Sequence, residues 1–366
     1  MIVIDADTHL REGYFLDKVY KLSGEFEKFT PRRVKDGGYH EIKFEHDLKP
    51  WGKEVEKQGS HRQLYSPDRQ GGRIARIQPG GYDMTQRIAD LEGAGVGKQV
   101  MFATDSGIPT LTEGPLGLAL AQAYNNWVAE FVKGHENRLF PVGVLPAGHP
   151  EGMAGELRRM VKQLGLKAAH IPGYAMTRNA DDPVFDDCYA MAQELDVPLF
   201  VHPASRGPLA NRHKSFYIMH CLARPTMCAD ALVSFVIGGV FERFPKLKVA
   251  FFECNAEWML YWMSRMEMGY DYLRQDYAPY LTMRPSEYVR RNCYLTVESN
   301  ESILPEAIEK IGVDRLMMSS DYPHWDCGFP GCTKEMQQRS DLTALQKEHL
   351  LGRNIADLMH LDTANA

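Results

Sequence analysis

The stretch IVIDADTHL, residues 2–10, decides the fold class, because it is an apolar run that ends in an Asp-x-His pair. Two later apolar runs, VPLFVH and LMMSSD, end in His202 and Asp321. Side chains alternate along a strand, so Asp7 and His9 lie on the same side. In parallel barrels the residues at the carboxyl ends of the strands face the active site. We therefore predict one metal site at this end of a barrel, which we call the barrel mouth.

Eight apolar runs of strand length recur along the chain, and segments long enough for helices separate nearly all of them. They lie at about residues 2–6, 97–103, 139–144, 166–171, 197–202, 247–253, 293–298 and 315–320. Residues 183–196 and 302–312, for example, carry apolar side chains at helical spacing. Strands that alternate with helices indicate a parallel sheet with crossover helices. Eight such units predict an α/β fold of the (β/α)8 TIM-barrel type.

Residues 1–366 are predicted to form a single barrel domain, because no linker, low-complexity tract or internal repeat divides them. The length beyond a minimal barrel lies in residues 11–95, between the first and second strands. An insertion there leaves the first strand at the barrel mouth, so we interpret it as a lid over the active site. A surface decoration or an oligomer contact is the alternative. Its basic residues could bind an anionic substrate or be solvated; they are Arg62, Arg69, Arg73 and Arg76.

The composition argues against several classes of partner. A formal net charge of −6 gives no reason to expect nucleic acid or an anionic membrane surface. Asp5 and Asp7 interrupt the apolar run at the start, so no signal peptide is predicted, and no run approaches the roughly 18 apolar residues of a membrane span. The seven cysteines form no CxxC pair, which favours reduced thiols and a cytoplasmic location.

Four residues are candidates for metal ligation, and each could instead have a purely structural role. Asp7 could cap the following loop and His9 could simply pack in the interior. His202 ends its strand before Pro203 and could be a satisfied core residue, but as a neutral imidazole at a strand end it suits zinc or manganese. Asp321 can bind a metal and also exchange a proton with water or substrate, although it could instead cap a helix.

Further polar residues at strand ends are candidates for catalysis or substrate binding. Glu253 follows the sixth strand and could be a catalytic group, a further metal ligand, a partner that orients His202, or an acid paired with an arginine. Arg265, one helix downstream, is its candidate counter-ion and a candidate substrate contact. Three other residues are predicted substrate contacts: His170, Glu298 and His324. The chain contains no GxGxxG, GxxxxGK[ST] or GxSxG motif, so nucleotide chemistry and serine hydrolysis lack support.

These residues give the chain a resemblance to the amidohydrolase superfamily, specifically the branch that includes amino-carboxymuconate-semialdehyde decarboxylase and γ-resorcylate decarboxylase. The matching segments are DADTH (5–9), PLFVHP (198–203), VFERFP (240–245), FECNAEW (252–258), SDYPH (320–324) and NIA (354–356). The resemblance covers nearly the whole chain outside residues 11–95. It implies a barrel enzyme with one divalent metal, zinc or else manganese, bound by Asp7, His9, His202 and Asp321. Relatives of this kind often form dimers or larger homo-oligomers.

The chain departs from the family pattern at two positions. The more common His-x-His is Asp7-x-His9 here, and Glu253 replaces a histidine often found after the sixth strand. No lysine fits a carboxylated bridging position, so the resemblance implies one metal rather than two. Because that histidine is absent, we favour a hydrolase that acts on a small carboxylate-bearing aromatic or ring-cleaved substrate through metal-activated water. The alternative is non-oxidative decarboxylation of a hydroxylated aromatic acid, and a binding protein that merely retains the barrel is the remaining hypothesis.

Overall fold

The structure, a computed structural model, describes residues 2–36, 39–43, 78–173, 178–203, 216–324 and 326–363. Eleven strands lie in this part of the chain. They are β1 (Ile4–Leu10), β2 (Arg32–Asp36), β3 (Tyr39–Lys43), β4 (Lys98–Ala103), β5 (Leu139–Pro141), β6 (Gly143–Val144), β7 (Ala169–Ile171), β8 (Leu199–Val201), β9 (Val249–Phe251), β10 (Cys293–Val297) and β11 (Leu316–Met318).

A parallel barrel of eight strands is formed by these elements, as the sequence predicts. Strand β1 pairs with β4 and β4 with β5, and the order continues in parallel from β6 to β11. Strands β5 and β6 are one strand interrupted at Val142, whose N–H donates to the Met101 carbonyl at 2.9 Å. The ring closes between β11 and β1, because Asp321 donates its backbone N–H to the Asp7 carbonyl at 3.0 Å and His9 donates to that of Tyr322 at 2.6 Å.

Helices follow the strands and cover the outside of the barrel. The described α-helices are α1 (Leu16–Val19), α2 (Met84–Ala94), α3 (Gly107–Leu111), α4 (Gly114–Phe131), α5 (Pro150–Leu164), α6 (Asp186–Leu195), α7 (Phe216–Ile218), α8 (Arg224–Ile237), α9 (Val240–Arg243), α10 (Glu257–Tyr277), α11 (Pro285–Asn292), α12 (Leu304–Ile311), α13 (Cys332–Gln338), α14 (Ala344–Glu348) and α15 (Asn354–Met359). A π-helical turn, Met219–Ala223, precedes α8. None of these helices combines the length and apolar character needed to cross a bilayer, and all seven cysteines are free thiols.

Two apolar cores hold the barrel together. The larger lies between the strands and the outer helices. The smaller fills the barrel interior with Phe102, Phe200 and Phe252, whose ring centroids lie 4.6–5.9 Å apart, and α15 closes its lower end. Because apolar side chains fill the barrel interior, the candidate metal ligands lie above it, at the mouth.

The insertion at residues 11–95 is described only at its two ends. Arg62, Arg69, Arg73 and Arg76 lie outside the described residues, so their role and the lid remain predictions. The C-terminal end of the insertion packs against the mouth, where Arg11 donates its backbone N–H to the Gly81 carbonyl at 2.7 Å. A Cβ atom on Gly81 would lie 2.7 Å from Arg11 Cγ and 2.8 Å from Pro323 Cγ. Glycine is therefore required for this close approach.

The buried side chain of Arg87, in α2, ties the insertion to the barrel. It is 1% exposed and donates to the carbonyls of His9 and Gly80, to Gln99 Oε1 and to Thr8 Oγ1 at 2.8–3.0 Å. We expect Arg87→Met to lower the free energy of unfolding by about 3 kcal/mol, because it leaves several buried acceptors unsatisfied.

Urea unfolding would measure this loss. The matched control is Arg158→Met, since Arg158 is half exposed and makes only a 3.4 Å contact with Glu194. That change should cost less than about 1 kcal/mol. Equal stability of the two variants would show that the Arg87 network contributes nothing specific.

Candidate functional site

Strand β1 brings Asp7 and His9 to the mouth as part of the strand itself. The strand extends to Leu10, further than the sequence suggests, because residues 8–10 pair with residues 101–103 of β4. Its register with β4 shifts between Asp5 and Thr8. Such irregularities redirect side chains and are frequent beside active sites. Regular alternation therefore predicted the right neighbours, although the strand is locally irregular.

Asp7, His9 and His202 lie close enough together to bind one ion. His9 Nε2 is 3.2 Å from His202 Nε2 and 3.5 Å from Asp7 Oδ1, and His202 Nε2 is 3.6 Å from Asp7 Oδ2. Asp321 Oδ1 lies beside this cluster, 3.2 Å from His9 Nε2, and forms a second group with His9 and His324. Two ligands bound to one ion at roughly 2.0–2.2 Å lie roughly 3–3.5 Å apart. The spacing therefore fits a common divalent ion.

The burial of Asp7 provides an independent test of that fit. Asp7 is 0% exposed, and neither of its carboxylate oxygens has a hydrogen-bond partner among the described residues. A buried carboxylate without a donor is strongly unfavourable unless a cation lies beside it. Two imidazoles and two carboxylates also suit zinc or manganese by donor type. The residues present therefore fit a divalent metal.

The electrostatics of the cluster reflect its burial. Burial raises the pKa of Asp7 to about 7, although the charge of His202 opposes the shift. Burial and then the charge of His324 hold the pKa of His9 well below its usual range, so His9 is neutral. Burial alone would lower the pKa of His202, but nearby carboxylates, Asp7 above all, outweigh it and raise the pKa to about 9. The carboxylates around His202 thus favour positive charge at this position, which a bound metal ion would supply.

Asp321 is held by its backbone and by His324. Its φ of 60° is left-handed, which aspartate tolerates better than most residues. Its side-chain Oδ1 lies 2.7 Å from His324 Nδ1. The His324 ring is largely buried and lies 4.1 Å from that of His9. His324 can thus orient Asp321 and exchange a proton with it.

Asp5 supports the site in a way that the sequence analysis missed. It is fully buried and accepts hydrogen bonds from Ser320 N at 2.9 Å and Ser320 Oγ at 2.5 Å. These bonds join β1 to the residue before Asp321. The signal was present, because Asp5 precedes Asp7 by two positions and an isolated carboxylate is rare in an apolar strand.

Glu253 lies at the mouth, but its ion-pair partner differs from the one we predicted. Glu253 Oε1 accepts from Arg224 Nη1 at 2.6 Å, and both side chains are largely buried. Arg265, the predicted counter-ion, is exposed on α10. That prediction was wrong because Arg224 begins α8, after β8, and only the barrel brings its side chain beside the end of β9.

The two other predicted contacts occupy different environments. His170, in β7, is 2% exposed, and its Nε2 lies 3.3 Å from the His202 carbonyl. Burial lowers the pKa of His170 to about 3, so it is neutral beneath the cluster. Glu298 follows β10 and is exposed, with its backbone N–H bonded to Glu301. Roles for both in substrate binding remain predictions.

Solved structures confirm the barrel. One is an amidohydrolase from Mycobacterium avium subsp. paratuberculosis, with a TM-score of 0.78, 19% identity and coverage of 98% of this chain and 99% of that chain. Another is 5-carboxyvanillate decarboxylase from Novosphingobium aromaticivorans with bound manganese and 4-hydroxy-3-methoxy-5-nitrobenzoic acid, with a TM-score of 0.74, 21% identity and coverage of 98% and 96%.

Curated proteins match over most of the chain. The 2-amino-3-carboxymuconate-6-semialdehyde decarboxylase of Dictyostelium discoideum is 26% identical and covers 77% of each chain. The gamma-resorcylate decarboxylase of Polaromonas sp. is 25% identical over 65% of this chain and 76% of its own length. The protein-family model described as Amidohydrolase matches residues 108–361. The chain therefore belongs to the amidohydrolase family.

Proposed function

We propose that this enzyme catalyses the metal-dependent, non-oxidative decarboxylation of a hydroxylated aromatic acid. The observation that carries the proposal is the buried group of Asp7, His9 and His202 at the barrel mouth, with Asp321 beside His9. The curated relatives described above are named as decarboxylases of carboxylated small molecules, which supports the same reaction. Hydrolysis, the activity that we favoured from the sequence, receives less support than this alternative.

The metal would be held by the four residues just named. When bound, it would supply a Lewis acid that attracts the substrate carboxylate and a neighbouring hydroxyl oxygen. Manganese is bound in the solved 5-carboxyvanillate decarboxylase. The donor set of this chain accommodates zinc or manganese equally, so we propose one divalent ion of either kind.

The chain must also provide a proton, since the carbon that loses CO2 gains hydrogen in its place. We assign this transfer to Asp321, whose Oδ1 lies 2.7 Å from His324 Nδ1. His324 can return a proton to Asp321 after each turnover. Below the site, the Phe102 ring lies 5.0 Å from His202 and 5.9 Å from His9, and this apolar floor keeps water from one side.

Release of CO2 from a panel of hydroxylated benzoates and ring-cleavage acids would test the reaction. We expect one substrate class to yield CO2 and a product lighter by that mass, with activity lost after chelation and restored by zinc or manganese. Products whose summed mass exceeds that of the substrate by one water, without CO2, would instead establish hydrolysis. Turnover unaffected by removal of the metal would contradict both.

We add three expectations to this proposal. The partner is a small-molecule substrate, the insertion at residues 11–95 covers it, and the chain assembles as a homo-oligomer in the cytoplasm. The described ends of the insertion support the second expectation, because Gly81 accepts a hydrogen bond from Arg11 and leaves no room for a Cβ beside Pro323 at the mouth.

A further inference from the structure

The end of strand β9 has an unusual backbone. Glu253, Cys254 and Asn255 have φ angles of 57°, 72° and 62°. Left-handed backbone is unfavourable for residues such as Glu and Cys, and residues held in it concentrate at functional sites. This turn follows Phe252, whose ring lies 6.5 Å from that of His202. The strained backbone thus brings the Glu253 carboxylate to the mouth.

The two oxygens of Glu253 have different environments. Oε1 accepts from Arg224 Nη1 at 2.6 Å. Oε2 has no hydrogen-bond partner among the described residues. This oxygen is buried, and the whole side chain is only 9% exposed. A buried carboxylate oxygen without a donor is unfavourable, so this oxygen requires a donor from elsewhere.

Strand pairing places Glu253 near the candidate metal ligands. Val201 of β8 pairs with Phe251 of β9, so His202 and Glu253 follow the ends of neighbouring strands. The ion pair with Arg224 favours the ionised form of Glu253, although burial raises its pKa. A substrate bound at the metal cluster would therefore lie near this carboxylate.

We propose that Glu253 Oε2 accepts a hydrogen bond from a ring hydroxyl group of the substrate, and that Arg224 is the positioning residue that fixes the carboxylate. The proposal rests on the proposed function for its aromatic substrate class. An ionised carboxylate can only accept hydrogen bonds. It therefore binds a hydroxyl but not a methyl ether at the same ring position, which has no hydrogen to donate. Glu253 thereby selects phenolic acids over methoxylated ones.

Calorimetric titration of the metal-loaded protein tests this selection without requiring turnover. The probes are 2-, 3- and 4-hydroxybenzoate, each paired with the corresponding methoxybenzoate. At one ring position the wild type should bind the hydroxyl compound about 10–100-fold more tightly than its ether. Glu253→Gln should reduce that ratio to less than about threefold, because a neutral amide accepts a weaker hydrogen bond than a carboxylate.

Variants of Arg224 separate positioning from folding. Arg224→Met should lower the ratio of hydroxyl-compound to ether affinity. Arg224→Lys should lower it less, because a lysine can still pair with Glu253. If Arg224→Met fails to fold, the double variant Arg224→Met/Glu253→Met removes both charges and is better tolerated. The double variant should also bind the hydroxyl compound and its ether about equally.

The matched control is Glu156→Gln in α5. Glu156 is 2% exposed and accepts from Arg159 Nε at 2.7 Å and from Asn125 Nδ2 at 2.7 Å, between the outer helices α4 and α5. It should leave the hydroxyl-to-ether ratio at its wild-type value, whatever it does to stability.

Two outcomes would overturn the inference: a wild-type ratio near one at every ring position, or an unchanged ratio in Glu253→Gln. Failure of the proposed function is distinguishable, because it would appear as an absence of CO2 release while the binding ratio still responds to Glu253→Gln.

Discussion

His202→Ala should release the metal and abolish turnover while the barrel stays folded. His202 Nε2 lies 3.2 Å from His9 Nε2 and 3.6 Å from Asp7 Oδ2, so its removal opens one side of the ligand cluster. The remaining imidazole and two carboxylates would bind a divalent ion much more weakly. Circular dichroism should show an intact fold, since the lost ring contributes to the mouth rather than to the apolar barrel interior.

Metal analysis after dialysis would measure the loss, with His170→Ala as the matched control. His170 is also buried, and its ring lies 6.3 Å from that of His202. Because it is outside the ligand cluster, we expect His170→Ala to retain metal. Wild-type metal content in His202→Ala would show that His202 is not a ligand.

Asp321→Asn should retain most of the metal but slow turnover by about 10²–10⁴-fold, the scale expected for a positioned acid or base. Asparagine keeps the size of the side chain and one oxygen that can face the ion. Its amide cannot carry the proton that Asp321 exchanges with His324 across 2.7 Å. The expected result is therefore a large fall in kcat with a small change in metal content.

Steady-state kinetics and metal analysis on the same preparation would separate these two effects. Asp314→Asn is the control, because Asp314 precedes β11 at the opposite end of the strand from Asp321 and pairs at the surface with Arg315. It should leave kcat unchanged. A full rate in Asp321→Asn would assign the proton transfer to another group.

Only some of the contacts that residues 11–95 make can be predicted from the sequence. The position of this insertion after β1 predicts that it lies near the mouth, and its C-terminal end packs there at Gly81. The partners of Arg87 could not be predicted, because they come from β1, β4 and residue 80. Nothing in local periodicity specifies which distant acceptors a buried arginine will satisfy.

The sequence by itself determined the barrel and the candidate ligands. Strand periodicity and spacing are local properties, and the carboxyl ends of parallel strands always meet at one end of a barrel. Asp7, His9, His202 and Asp321 each lie at or just beyond such an end, so strand order predicts that they lie near one another, and their role as ligands stays a prediction.

Only the tertiary structure decided the partner of Glu253 and the role of Asp5. Arg224 and Ser320 are separated from these carboxylates by 29 and 315 positions. Packing of α8 against the end of β9 brings Arg224 to Glu253, and closure of the barrel between β11 and β1 brings Ser320 to Asp5. The long side chain of an arginine can reach many neighbours, but a buried guanidinium must lie beside a group that neutralises its charge. Which group does so depends on packing between elements, which no local pattern records.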